Sequence, residues 1–518
     1  MSQMESNREV LEQVDEASFP HPVDDLQRLE THISWIFLTG KFAYKIKKAV
    51  DLGFVNYTTL EQRKHFCELE VELNRRFAAD LYLGVVPIWR TPHGLRFGDV
   101  PGEATSLPPA ADDSPVEYAV KMREFPQSAI AANRLQDPAF NRQLVSDFGK
   151  RLAEFHGRIE VVASDVPVAQ PRRIRQDAME NYDVLLPEFG SDRRRHSLQR
   201  LRRWTDQQAE SLSNQFALRL QRGLVRRCHG DLHLKNMILL EGRLHAFDGI
   251  EFNEEFQCID VLSEVAFPVM DCCARGRPDL AWWLLNAYLE ESGDYPGLDV
   301  LRFYLVYRAM VRAKVAWLNP NNRSEIRRKQ YASEDHPQDR RAGPWDKYLA
   351  VAEQFAFSMR PKLAITHGFS GSGKSTVALQ IIGKQGGVRI RSDVERHRLT
   401  HSISGADKYT STMTDRVYTW LVKLANAGIQ AGFPMIIDAT FLKRQHRRLF
   451  QNLAAKQQVP FEIIHCDAEF DELCERLRNR TGDASEADIK VLHKQLDDHD
   501  PLTAEETALA TNSIPGGV

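Results

Sequence analysis

The chain has 518 residues, 42% hydrophobic, 27% charged and 9% aromatic, which exceeds what one hydrophobic core serves and excludes a largely disordered chain. Its 68 basic and 71 acidic residues leave a net charge of −3, so no global field favours nucleic acid or an anionic membrane surface. No apolar run reaches the ~18 residues of a spanning helix, and the polar N-terminus lacks a signal-peptide core, so a cytoplasmic location is expected.

In chain order, residues 1–24 read as an N-terminal extension, a mobile start with a short helix. Residues 33–48 read as a hairpin in which ISWIFL turns at Thr39-Gly40-Lys41 into FAYKIKK. A helix is predicted over 59–79 with Thr59 as its cap, then strands at 83–90, 94–98 and 116–123 around a Pro/Ala/Asp-rich loop at 107–115. Residues 139–223 are helical in pattern. Their Arg-rich stretch, 193–203, reads as a solvated face or as a surface for an acidic partner. A strand–loop–strand unit at 224–248 leads into amphipathic helices from 259 to 318. The polar run 319–346 is the predicted linker, and strands and helices alternate beyond 362 as in a parallel α/β sheet. The seven cysteines include no CxxC and are expected as buried thiols, although the vicinal pair Cys272 and Cys273 could be redox-active.

Two motifs carry chemistry. CHGDLHLKNMIL spans 228–239, with Asp231 and Asn236 five residues apart, and Asp248 in AFDGIEF follows Asn236 by twelve. That spacing fits protein-kinase-like phosphoryl transfer. Asp231 would accept the hydroxyl proton, Asn236 and Asp248 would hold Mg2+, and the metal would bridge nucleotide phosphates. Lys45 in AYKIKK would contact the nucleotide phosphates, but Lys47 shares its face by the strand period of two, which leaves the choice open. Glu70 in the next helix would pair with that lysine, and VKMREF at 120–125 would be the hinge that reads adenine. No GxGxxG precedes Lys45; Thr39-Gly40 alone marks the turn. Asp260 and Glu264 would brace the catalytic loop.

GFSGSGKST, residues 368–376, satisfies the P-loop pattern between an apolar strand and a helix. Gly368, Ser370, Gly371, Ser372, Gly373 and Thr376 would turn backbone N–H groups onto phosphate oxygens. Lys374 would reach the β/γ-phosphates and Ser375 would ligate Mg2+. Asp393 ends the strand VRIRSD, where its carboxylate can accept a substrate proton or help order the metal; Asp438 ends PMIIDAT at a Walker-B-like position. Arg476 and Arg480 share a helix face by their i,i+4 spacing and could clamp the transferring phosphoryl group.

Residues 25–320 resemble the aminoglycoside-phosphotransferase-like family, through THISWIFLTGKFAYKIKK, RCHGDLHLKN, FDGIEFN and YRAMVRAKVAWL. They resemble still more the version fused to a C-terminal P-loop kinase. Residues 360–500 are similar to P-loop kinases related to gluconate kinase, phage polynucleotide kinase and zeta-toxin kinases, through GFSGSGKST, RSDVERHRL, IIDATFLKRQHRRLF and CERLRNRTGDASEAD. The resemblance implies an α+β protein-kinase-like bilobal domain over 25–318 and an α/β P-loop NTPase domain over 347–505, its parallel sheet flanked by helices, then a tail at 506–518. It also implies that Asp393 is the acceptor-side residue, Arg447 a substrate or phosphate contact, and Arg476 and Arg480 a lid. The expected activity is ATP-dependent phosphoryl transfer to hydroxyls of small molecules at two sites, with ATP and Mg2+ as cofactors. The alternative is a regulatory or scaffold protein in which one half senses nucleotide. A nucleic-acid acceptor is not expected, because no basic stripe is present.

Overall fold

The computed structural model describes residues 11–53, 55–100, 114–189, 193–319, 343–400, 410–479 and 488–512. They form two compact units. The first comprises Met1–Phe140, Ile159–Ala169 and Gly223–Glu264; the second comprises Asn141–Arg158, Gln170–Arg222 and Val265–Val518. The division does not follow the 319–346 linker: helices on its N-terminal side group with the P-loop region, because they share a core with it.

The first unit is built on a six-stranded sheet. Its strands are β1 (Gln27–Glu30), β2 (Ser34–Leu38), β3 (Phe42–Lys47), β4 (Tyr82–Thr91), β5 (Gly94–Phe97) and β6 (Glu117–Arg123), in the order β1-β2-β3-β6-β4-β5. The β2–β3 turn is the predicted one. Gly40 takes a φ of +86°, and the Glu124 carboxylate accepts the N–H groups of Thr39 and Gly40 at 2.9 and 2.8 Å. β1 escaped the sequence reading because its four residues are all exposed and carry no alternation. It places a second hairpin, turning at 31–33, ahead of the one with Thr39-Gly40.

Alternation divides the sheet faces. Trp35, Phe37, Tyr44 and Ile46 pack with Leu11 and Phe19. The described part of the N-terminal segment is therefore core material, not the mobile extension expected, because Phe19 stacks on Phe97. The opposite face, with Ala43, is covered by α1 (Leu60–Ala78) through Cys67, Val71 and Ala78. Thr59 and Gln62 close its capping box, which fixes where the helix starts. The remaining strands are β7 (Val225–Arg227), β8 (Met237–Leu240), β9 (Arg243–Ala246) and β10 (Cys258–Asp260); β8 and β9 form a hairpin, and β7 pairs with β10.

The second unit contains the helices α2 (Arg142–Arg158), α3 (Pro171–Leu185), α4 (Arg193–Ser211), α5 (Ser213–Gln221), α6 (Val261–Ala274, which spans the unit boundary), α7 (Pro278–Ser292), α8 (Leu298–Leu318) and α9 (Asp346–Glu353). Gly149 lets α2 approach α7, since a Cβ there would lie 2.6 Å from the Leu284 carbonyl oxygen. The Arg-rich start of α4 is partly spent internally: Arg194 pairs with Asp346 at 3.0 Å, Arg202 with Asp183 at 2.8 Å, and Arg195 donates to the carbonyls of Leu186 and Phe189.

The P-loop sheet is parallel throughout. Its strands β11 (Leu363–His367), β12 (Val388–Arg391), β13 (Met435–Asp438), β14 (Phe461–His465) and β15 (Ala510–Asn512) run in the order β12-β13-β11-β14-β15. β11 and β13 are buried along their whole length, as strands covered on both faces must be. Its helices are α10 (Lys374–Gln385), α11 (Ser392–Leu399), α12 (Ser411–Gln430), α13 (Arg444–Gln457), α14 (Phe470–Arg478), α15 (Ile489–Asp497) and α16 (Ala504–Ala508). The segment after 505 is not a tail up to Asn512. β15 extends the sheet, and Glu506 is buried against Arg447. All seven cysteines are free thiols; burial raises those of Cys272 and Cys273, the latter to about 12. No helix among the described residues is long and apolar enough to cross a membrane.

Candidate active sites

The first site lies where β3, α1 and the loops around β8 and β9 meet, all within the first unit. The Lys45 ammonium donates to Glu70 Oε1 at 2.8 Å and to Asp248 Oδ1 at 2.6 Å. Lys47 donates to Glu70 Oε2 at 2.7 Å and to Glu251, whose Oε1 also accepts the Tyr57 hydroxyl at 2.8 Å. Strand period alone left the two lysines equivalent; tertiary contacts separate them. Lys45 reaches the half-exposed Asp248, whereas Lys47 is fully buried. Burial works against both charges, but the surrounding carboxylates outweigh it and hold both lysines well above their usual range. Glu70 is likewise buried, and the two ammonium groups overcome that cost and bring its carboxyl down to about 2.

The catalytic loop is held from several sides. The Asn236 amide donates to the Asp231 carbonyl at 3.1 Å and to Asp231 Oδ2 at 3.2 Å, and His233 Nε2 lies 3.3 Å from the same Oδ2. Gly230, at φ +88°, donates its N–H to Glu264 Oε1 at 2.8 Å, so Glu264 braces the loop as expected. Asp260 accepts from the Leu262 N–H at the start of α6. Burial lowers the pKa of His229, whose Nε2 meets the Phe247 carbonyl at 2.9 Å. Asp248 has φ +59°, a left-handed conformation costly for a residue with a Cβ. It is held by bonds from its own N–H to the Tyr82 hydroxyl (2.9 Å) and from the Gly249 N–H to Asn74 Oδ1 (2.8 Å). Asn74, Tyr82, Tyr57, His233 and Glu251 were not picked out from sequence. Of these, Glu251 left a signal as a second acid beside Asp248 in the otherwise apolar run AFDGIEF, and His233 one as part of CHGDLHLKNMIL.

The second site is a cavity of about 800 Å³ in the second unit, lined by the P-loop, the ends of β12 and β13, and α14 and α15. Ser370, Gly371, Gly373, Lys374, Ser375 and Thr376 face it, as do Asp393, Asp438 and Arg476. Gly368 and Ser372 do not line it: they shape the loop from behind. Gly368 has φ +144° and a Cβ there would lie 2.1 Å from the Cys466 carbonyl oxygen, so only glycine fits between β11 and β14. Gly371 and Gly373 take φ values of +89° and +84°. The Lys374 ammonium meets the Phe369 carbonyl at 2.6 Å, and Gln495 of α15 accepts the Ser370 N–H at 3.0 Å. Arg476 donates to the Gly371 carbonyl at 3.3 Å and pairs with Glu472. Arg480 lies outside the described residues.

Arg447 corrects an expectation. It is wholly buried, with a bidentate pair to Glu506 at 2.8 Å and bonds to the carbonyls of Phe441, Asp500 and Pro501, so it ties α13 to the chain end and does not face the cavity. Arg391, Arg396, Tyr418 and Lys443 line the cavity instead and were missed. Two arginines inside VRIRSD were the available signal, since a parallel strand normally reads as continuous apolar residues.

Both donor sets suit a hard divalent cation. Asn236 and Asp248 offer oxygens in the first site; in the second, Ser375 offers a hydroxyl and Asp438 a buried carboxylate whose Oδ2 has no hydrogen-bond partner.

Comparison with known proteins follows the same division. Residues 363–502 match the family AAA_33, described as an AAA domain. An uncharacterized protein of Mycobacterium tuberculosis is 26% identical over 482 residues, covering 91% of this chain and 90% of that protein. A gluconokinase of Gluconobacter oxydans is 24% identical over 131 residues, 24% of this chain and 68% of the enzyme. A choline/ethanolamine kinase family protein from Mesorhizobium loti is 12% identical in structural superposition, covering 68% of this chain and 99% of that one, with a TM-score of 0.34. The chain thus carries a match to the AAA_33 family over residues 363–502, P-loop included, and ahead of it a unit in which the Lys45–Glu70 pair meets Asp248 beside the Asp231–Asn236 loop.

Proposed function

We propose that the chain is a bifunctional phosphotransferase that moves the γ-phosphoryl group of Mg-ATP to hydroxyls of small-molecule acceptors at two separate sites. The observation that carries this reading is the meeting of Lys45 with Asp248 at 2.6 Å, two residues 203 positions apart that phosphoryl transfer requires side by side.

In the first site Lys45, fixed by Glu70, orients nucleotide phosphates, and Asp231 takes the acceptor's proton. Asn236 and Asp248 would hold Mg2+. In the second, N–H groups of the P-loop and Lys374 cradle the phosphates, Ser375 and Asp438 would hold Mg2+, and Asp393 is the acceptor-side carboxylate. Arg476 sits where it can stabilise charge on the transferring group. A cation held there would supply charge neutralisation at the phosphates; the protein residues supply positioning and fixed charge. The arginines and lysines around the second cavity favour an acceptor that itself carries negative charge.

The test is ATP turnover by the purified full chain against a pool of hydroxylated metabolites. Asp231→Asn is expected to remove one set of products and Lys374→Ala the other. If neither variant changes turnover or nucleotide binding, the proposal fails. If one site binds ATP and transfers nothing, that unit is a nucleotide sensor.

A further inference from the structure

β12 carries two arginines, and both end on one carboxylate of α7. Arg389 Nη2 donates to Glu290 Oε2 at 2.7 Å and Arg391 Nη1 to Glu290 Oε1 at 3.1 Å. α7 also grips the backbone of this strand. Asn286 Oδ1 accepts the Arg389 N–H at 2.6 Å, its amide donates to the Gly387 carbonyl at 2.9 Å, and the Trp282 ring fills the space beside Gly386. The far end of the Arg389 guanidinium stops 3.6 Å from Asp438 Oδ2 and 3.5 Å from the Ser375 carbonyl oxygen. At that distance it is an ion pair without a hydrogen bond. Asp438 is therefore a buried carboxylate, 5% exposed, with a guanidinium near it but not bonded to Oδ2. Left alone, an arginine so close would close onto the carboxylate in a two-bond pair.

We propose that Glu290 is a positioning residue of the P-loop site: by holding Arg389 back it keeps Asp438 available to a divalent cation. The inference rests on the reading of Asp438 as the metal-side carboxylate. The metal affinity of the P-loop site is then set in part by a helix that precedes the linker, and the P-loop region is not a self-sufficient enzyme.

The test uses the full chain with Asp248→Asn, which silences metal binding in the first unit. Binding of a non-hydrolysable ATP analogue is followed by calorimetry across a Mg2+ titration, with folding checked by circular dichroism. Glu290→Gln is expected to raise the Mg2+ concentration at half-saturation by about 10-fold, the scale seen when a residue supporting a metal ligand is lost. Adding Arg389→Gln to it should return the midpoint to within about 3-fold of the parent, a rescue that a purely structural role would not give. If Glu290→Gln leaves the midpoint unchanged, or the double variant is worse than the single, the inference is overturned. If Glu290→Gln does not fold, Arg389→Gln alone decides: an unchanged or lower midpoint supports the inference and a higher one overturns it. Asp438→Asn separates the two levels. No effect there defeats the metal reading itself, whereas a raised midpoint there with none for Glu290→Gln defeats only the role of Glu290.

Discussion

In the first unit the cation proposed to face phosphate, Lys45, is already committed, shared between Glu70 and Asp248. In the P-loop unit the groups proposed to bind anions are chiefly backbone N–H groups of a loop turned by Gly371 and Gly373. The first site is thus organised by buried charge pairs, each of which costs desolvation and is rigid once formed. The second is organised by backbone conformation and by close approaches that only glycine permits. Ion pairs tolerate changes in backbone but not in charge; the P-loop has the reverse sensitivity.

The strongest way to break this comparison is to remove charge from the first unit. Lys47→Met leaves Glu70 and Glu251 buried with one cation fewer, so a loss of about 3–5 kcal/mol in denaturant unfolding is expected. Lys45→Met should act differently, lowering Asp231-dependent turnover by about 100-fold with far less loss of stability, since Glu70 keeps Lys47. Equal stability losses for the two would show that Lys45 is structural. On the other side, Gly368→Ala should cost about 1–3 kcal/mol in backbone strain and abolish Lys374-dependent nucleotide binding, measured by calorimetry. Unimpaired binding would mean that the close approach to Cys466 is not what shapes the loop. Glu264→Ala, which strands the buried Gly230 N–H, should cost about 1–3 kcal/mol and lower only Asp231-dependent turnover.

Acid should have the smallest effect. His367 is kept neutral by burial and by His465, Arg447 and Lys374 nearby, which bring it from 6.5 to about 3. The unfolded chain takes up that proton first, so its stability contribution is lost as pH falls from about 6.5 towards 3. Glu70 is held at about 2 against an ordinary 4.5; its contribution is complete above 4.5 and is lost as pH falls towards 2. Burial lowers His229 of the first unit in the same direction, so both units should begin to weaken below about pH 6.5 in hydrogen-exchange measurements, and His367→Asn should remove the second unit's share of that loss. A second unit whose acid response is unchanged by His367→Asn would contradict this role of His367.

Much of each site was legible because its spacing is local. The P-loop pattern needs eight consecutive residues, Gly368 to Ser375, and Asp231, Asn236 and Asp248 fall within eighteen. The capping box at Thr59 and the parallel alternation beyond 362 likewise announce their elements. Elsewhere, short-range pattern was silent or misleading. β1 has no buried residue to create a period, so the hairpin ahead of Thr39-Gly40 went unseen. The family resemblance implied a substrate or phosphate contact for Arg447, yet its partner Glu506 is 59 residues away in a segment that read as a tail.

By itself the sequence determined which residues are candidates to bind phosphate, hold a cation and accept a proton, because those chemistries require particular side chains at short, fixed intervals. Only the tertiary structure decided between Lys45 and Lys47, buried Arg447, and brought Glu290 to Arg389 across 99 residues. Such choices depend on which charges are removed from water together, and that is a property of packed elements rather than of any stretch of chain.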